Sequence, residues 1–241
     1  MARDGTQVMG ETMEALVDAN RILAREGVLD GYGHVSARHP GNPQQYLLSR
    51  SLAPELVTAE DILTFDLDSN AIGDTRLAYL ERFIHGEIYR RRPDVHAVVH
   101  SHAPSVVPFA GSSVRMKPMY HMSSFLGSGA NVWDIRKHFG CTDMLVTNHE
   151  QGRSLAETLG ADNVTLMRGH GFVAVGDAIP IAVFRAIYTE LNARLQATAI
   201  ALGGSVTYLE SDEAALSDAK NRTTVGRPWQ LWRRKISATG H

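Results

Sequence analysis

Ala97-Val98-Val99-His100-Ser101-His102 opens with three apolar residues and closes on two histidines set two apart. Read as a buried strand over 97–102, it alternates its side chains between two faces, so both imidazoles emerge on the same one. Such a pair is a two-pronged platform for a metal ion, although hydrogen-bonded surface histidines at a strand end would leave the same trace. On its N-terminal side, Leu77, Leu80, Ile84 and Ile88 fall at three- and four-residue steps and predict a helix over 77–91 that Pro93-Asp94 closes. On its other side Pro104 leads a further helix.

Working outward, Met13, Leu16, Val17, Ala19, Ile22 and Leu23 make an apolar stripe that predicts a helix over 7–26, with Gly27 as its stop. Short alternating segments at His34–Arg38, 46–49 and 62–68, parted by Gly, Pro and Asn, read as strands. Beyond the histidine pair, short helices are expected over 133–139 and 151–159, and strands over 164–168 and 172–176 around a Gly-His-Gly turn. A long helix over 181–202 ends at Gly203-Gly204, and a basic tail over 220–241 carries Arg227, Trp229 and Trp232. Two tryptophans so close together are expected to pack on their own or a neighbouring subunit. No repeat or long linker divides the chain, so residues 1–241 read as one α/β domain.

Forty-four per cent of the 241 residues are hydrophobic, enough for a well-buried core in one unit. Twenty-four Lys plus Arg against 26 Asp plus Glu leave a formal charge of -2, which sets nucleic acid and acidic membrane aside as partners. No apolar run approaches the roughly 18 residues that span a bilayer, and no charged start precedes an apolar stretch. The single cysteine, Cys141, fits a reducing cytoplasm and is expected as a buried small hydrophobe.

Histidine is the unusual residue, with 11 in the chain. His170 lies between Gly169 and Gly171, whose freedom suits a tight turn aimed at a site. Three neutral imidazoles suit zinc, manganese, iron or cobalt and leave positions open for a small-molecule substrate. Glu81 falls on the expected 77–91 helix, where an ordinary solvated glutamate is the simpler reading. His85, one turn on, would share its face and could hydrogen-bond it. His34, Tyr120 and His121 are further polar candidates near turns, whereas His39, His96, His138, His149 and His241 read as surface or packing residues.

Together these pieces resemble the class II aldolase/adducin family. The resemblance is carried by Gly33-His34-Val35-Ser36-Ala37-Arg38, by Glu81, His85, Ile88-Tyr89 and Arg92-Pro93-Asp94, by the 97–102 segment, and by Arg168-Gly169-His170-Gly171. They fall in the family's order and spacing over about residues 8–205. The resemblance implies a single-domain, three-layer α/β/α sandwich around a mostly antiparallel sheet. It also implies one divalent ion per subunit, held by His100, His102 and His170, with Glu81 as a further ligand or the residue that handles the substrate proton. A homo-oligomer is implied too, commonly a four-fold ring with sites between neighbours.

Sugar-phosphate aldolases of this family place two serines before the glutamate and a Ser/Thr-Gly pair in an earlier loop. Tyr79-Leu80 and Ser51-Leu52 stand there instead, and His34 replaces an asparagine. Apolar bulk cannot satisfy a dianion, so the phosphate site is expected to be lost. An imidazole at 34, with Arg38 and Arg50 near it in sequence, could meet a carboxylate or phenolic oxygen, with Ser101 and Tyr120 as further substrate contacts. These changes, with the 79–89 and 120–127 segments, resemble the branch that decarboxylates hydroxylated aromatic or pyridine dicarboxylates. The expected activity is a metal-dependent carbon–carbon lyase in which Glu81, relayed by His85 or His121, handles the ring proton. The alternatives are an aldolase for a non-phosphorylated substrate and a non-catalytic, adducin-like interaction module.

Overall fold

Alternating apolar residues build the strands, and amphipathic stripes build the helices that cover them. In the computed structural model, which describes residues 5–238, the first half runs α1 (Gly5–Arg25), β1 (His34–Arg38), β2 (Gln45–Ser49), β3 (Ile62–Asp66), α2 (Arg82–Arg91), β4 (Ala97–Ser101) and α3 (Val107–Gly111). The second half runs β5 (Asn131–Trp133), α4 (Ile135–Phe139), α5 (His149–Leu159), β6 (Val164–Met167), β7 (Gly171–Gly176), α6 (Ile179–Ala201), α7 (Ser211–Arg222) and α8 (Gly226–Ser237). These strands form one sheet in the order β3-β2-β1-β4-β7-β6-β5.

The expectation of a mostly antiparallel sheet is corrected to a mixed one, because β5 runs parallel to β6 beside otherwise antiparallel neighbours. The chain leaves β5, passes through α4 and α5, and re-enters the sheet as β6 in the same direction, as a helical crossover requires. A helix over 133–139 is likewise corrected. Trp133 belongs to β5, and Asp134 caps the shorter α4 by accepting the Arg136 N–H at 3.1 Å. Pro104 lies in a turn, and α3 begins only at Val107.

Side-chain alternation splits the core into two layers. Val35, Ala37, Ala97, Val99, Phe172 and Ala174 pack with α1, α6 and α8, whereas Tyr46, Leu48, Val98, Val173 and Val175 pack with α2 and α5. Parity therefore sends His34, Ser36 and His100 to the α2 side of the sheet, and the β1–β4 register sets His34 opposite His100.

The basic tail folds back on its own chain. Arg233 of α8 bonds Asp18 of α1 at 2.6 Å, and Trp232, 5 % exposed, enters the core. Trp232→Ala is expected to cost about 3–5 kcal/mol, read as a lower urea midpoint; an unchanged midpoint would place that indole outside the core. Cys141 is exposed, which corrects its reading as a buried hydrophobe. No helix among the described residues is long and apolar enough to cross a membrane.

Candidate metal centre

Three chain segments converge at the C-terminal end of β4. His100 is buried on the strand, His102 follows one residue past its end, and His170 sits in the turn from β6 to β7. Gly169 takes φ +64, and a Cβ on Gly171 would lie 1.9 Å from the Ser101 carbonyl oxygen, so both flanking glycines are needed to seat this turn. Glu81 stands immediately before α2, and ligand atoms of these four residues lie within 4.8 Å of one another.

Backbone partners orient the imidazoles. Nδ1 of His100 faces the Phe172 carbonyl at 3.2 Å, and Nδ1 of His170 faces the Met144 carbonyl at 3.1 Å. A carbonyl only accepts, so each Nδ1 carries the hydrogen and each Nε2 turns inward. Asp30 lies 3.7 Å from the Nδ1 of His102 and favours the same orientation. The inward Nε2 atoms of His100 and His102 are 3.0 Å apart, and those of His102 and His170 are 3.1 Å apart. Nitrogens about 2.1 Å from a shared ion stand about 3.0 Å apart at right angles and about 3.4 Å apart at tetrahedral ones, so these spacings fit a common cation. Neutral imidazoles in these tautomers would otherwise aim their lone pairs at one another.

Sequence spacing predicts Glu81 within a helix beginning at 77, but α2 begins at Arg82. Residues before it are drawn to the loop after β2, where the Leu77 carbonyl accepts the Ser51 N–H at 2.7 Å and the Tyr79 hydroxyl bonds the Leu52 carbonyl. Leu77 and Leu80 are consequently exposed, while Tyr79 and Glu81 are buried. Glu81 does not meet His85. Its Oε1 accepts the Val146 N–H at 3.0 Å, and its Oε2 lies 3.4 Å from His100 and 3.5 Å from His170. Burial raises its pKa, whereas positive charge on His100 and His170, which requires their imidazolium forms, pulls it well below the usual carboxylate range. A positive partner, imidazolium or metal, keeps Glu81 ionised.

His85 instead faces β1. Its Nε2 lies 2.7 Å from Nδ1 of His34, its Nδ1 lies 2.6 Å from Ser36 Oγ, and Ser36 Oγ meets the Tyr89 hydroxyl at 2.8 Å. Ser36 and Tyr89 carry part of the family resemblance but have no site role in the sequence reading, although Ser36 is two residues along the strand from His34 and Tyr89 one helical turn from His85. Burial is the largest cause pushing His85 down to about 3 from the ordinary 6.5. Its folded-state pKa is depressed, so the unfolded chain binds the proton first and the stability contribution is complete only above 6.5. We expect the urea midpoint to fall as pH drops from about 6.5 towards about 3, by a few kcal/mol from this group alone. A midpoint flat over that window would contradict a buried neutral His85.

The other expected substrate residues separate. Arg38 is buried, and its guanidinium donates to the carbonyls of Val95, Pro43, Tyr89 and Arg92, so it is committed to the fold. Ser101 points to the opposite face from His100 and donates to the Val28 carbonyl at 2.6 Å. Arg50 pairs through Nε with Asp61 at 2.7 Å, its side chain 37 % exposed. Tyr120 packs near Tyr188, and His121 is exposed beside α7, where Ser217 and Asn221 bond its carbonyl; neither side chain contacts the histidine cluster. His149 bonds Glu87 at 2.8 Å in a packing role, and His241 lies outside the described residues.

A seven-stranded mixed sheet between helical layers bears a histidine set and a buried carboxylate at one strand end, the donor set of a candidate metal centre, and likeness to decarboxylases makes the protein an enzyme of the lyase type. The chain belongs to the Class II Aldolase and Adducin N-terminal domain family, whose model matches residues 14–197. It is 36 % identical to decarboxylase tropJ of Talaromyces stipitatus, over 95 % of both chains. It is 30 % identical to the 3,4-dihydroxyphthalate decarboxylase of Arthrobacter keyseri, over 93 % of this chain and 94 % of that one. The fold matches L-fuculose 1-phosphate aldolase from Glaciozyma antarctica with a TM-score of 0.80 and 22 % identity, over 99 % of this chain and 94 % of that one.

Proposed function

We propose that this enzyme decarboxylates an aromatic acid bearing a hydroxyl ortho to the carboxylate it loses. The observation that carries the reading is the buried Glu81 carboxyl beside the three-histidine centre, with the His34 ring 5.0 Å from that of His100. The likeness to decarboxylases across nearly the whole chain supports it. His100, His102, His170 and Glu81 would hold the ion, zinc or manganese by their donor set. When bound, that ion supplies a Lewis acid for the electrons released as the carbon–carbon bond breaks.

Glu81, as a carboxylate, takes the proton from the ortho hydroxyl. It then gives that proton to the ring carbon bearing the carboxylate, and the ring becomes a ketone at that stage. The carbon–carboxylate bond breaks, its electron pair restores the aromatic ring as a phenolate, and CO2 leaves. Water returns one proton to the phenolate. His34 and Arg50 bind and orient the anionic oxygens, and the Tyr79 ring, 4.6 Å from that of His34, offers a flat apolar wall. The reading includes assembly of like chains, through which Tyr120 and His121 would reach a neighbour's site, and a cytoplasmic setting.

Metal-loaded protein given 3,4-dihydroxyphthalate is expected to release CO2, and in deuterated water to place one deuterium on the vacated carbon. Glu81→Gln should lower kcat about 10²–10⁴-fold. Equal kcat in that variant would remove Glu81 from the proton transfer. Failure of every ortho-hydroxy aromatic acid to release CO2 would end the decarboxylase reading.

A further inference from the structure

Beneath the metal centre, Tyr89, Ser36, His85 and His34 form one hydrogen-bonded row leading from the core to the rank beside His100. All four residues are buried, at 1 % exposure or less. Such a row has a direction, because each contact needs one donor and one acceptor. Two imidazole nitrogens 2.7 Å apart, as in His34 and His85, must consist of one N–H and one lone pair.

The Tyr89 end fixes which way the row runs. Among the described residues its hydroxyl has one side-chain hydrogen-bond partner, Ser36, at 2.8 Å. Were Ser36 to donate to Tyr89, the buried phenolic proton would have no acceptor, which is costly. Tyr89 therefore donates to Ser36, Ser36 donates to Nδ1 of His85, and Nε2–H of His85 donates to Nδ1 of His34.

We infer that Tyr89, Ser36 and His85 are positioning residues that lock His34 as a neutral Nε2–H donor facing the substrate space, neither a base nor a further metal ligand. The Nδ1 of His34 is taken by His85, so its Nε2 points away from His85, and among the described residues no hydrogen bond reaches that nitrogen. Its partner is then an anionic oxygen of the substrate, the carboxylate in the reading above. That last step rests on the proposed function; the tautomer does not.

The test is nitrogen-15 NMR on zinc-loaded protein labelled at histidine, without substrate, with the His34 signals assigned by their loss in His34→Gln. Correlations from ring protons to each nitrogen are expected to show His34 and His85 both protonated at Nε2 alone. Protonation of His34 at Nδ1, or at both nitrogens, would overturn the inference, and the tautomer is read on the parent protein, with Tyr89, Ser36 and His85 intact. Tyr89→Phe is expected to keep its metal, to show His34 as a mixture of tautomers, and to raise KM for 3,4-dihydroxyphthalate about tenfold with kcat changed less. A Tyr89→Phe protein with an unchanged spectrum and KM would also overturn it. If no aromatic acid reacts, the spectrum still decides the tautomer; if the tautomer is reversed, CO2 release still stands.

Discussion

Replacing His170 by alanine is expected to remove bound metal and turnover together. His100, His102 and His170 present Nε2 atoms 3.0–3.1 Å apart along the chain of contacts, and each is oriented from behind by an oxygen. Loss of a partner behind a ligand typically costs about 10–100-fold in metal affinity, and loss of the ligand itself should cost at least about a hundredfold. Elemental analysis of dialysed protein should show nearly one ion per subunit in the parent and almost none in His170→Ala or His100→Ala, with circular dichroism unchanged. Chelation of the parent should abolish CO2 release, and zinc or manganese should restore it. Full metal content in His170→Ala would refute the ligand assignment. A scaffold protein of the adducin kind would show no metal-linked chemistry under either treatment.

Sugar phosphates are expected to be poor substrates, by about a thousandfold in affinity relative to a site built for them. Tyr79 and Leu52 stand where a phosphate-binding relative needs hydroxyls and open backbone, and here they are joined to each other, the Tyr79 hydroxyl on the Leu52 carbonyl. The same ring packs 4.6 Å from His34, so the space holds an aromatic wall. A phosphate dianion buried without donors loses at least several kcal/mol, and about 4.1 kcal/mol is a thousandfold. Rates on fuculose and ribulose phosphates should be compared with those on hydroxylated phthalates and pyridine dicarboxylates, metal supplied. Tyr79→Ser should weaken the aromatic acid about tenfold and leave metal content whole, since Tyr79 contacts no ligand nitrogen. Leu80→Ser should change less, because Leu80 is 60 % exposed. Efficient cleavage of a sugar phosphate with no CO2 from any aromatic acid would make the aldolase the leading reading.

Local patterns carried much of this protein. Period two alone put His100 and His102 on one face, the glycines flanking His170 announced a tight turn, and apolar spacing located α1, β1, β4 and α6 closely. These features are legible because residues a few positions apart determine them. Tertiary structure alone decided what each polar group meets. Glu81 left the expected helix for a turn and took the Val146 N–H, 65 residues away; His85 turned from Glu81 to His34, 51 residues away; Arg38 and Ser101 gave their donors to carbonyls of the fold. The parallel partner of β6 likewise depended on the crossover path through α4 and α5. Periodicity fixes the face a side chain leaves from, whereas long-range packing fixes the atom it finds there, and a buried polar group must find one.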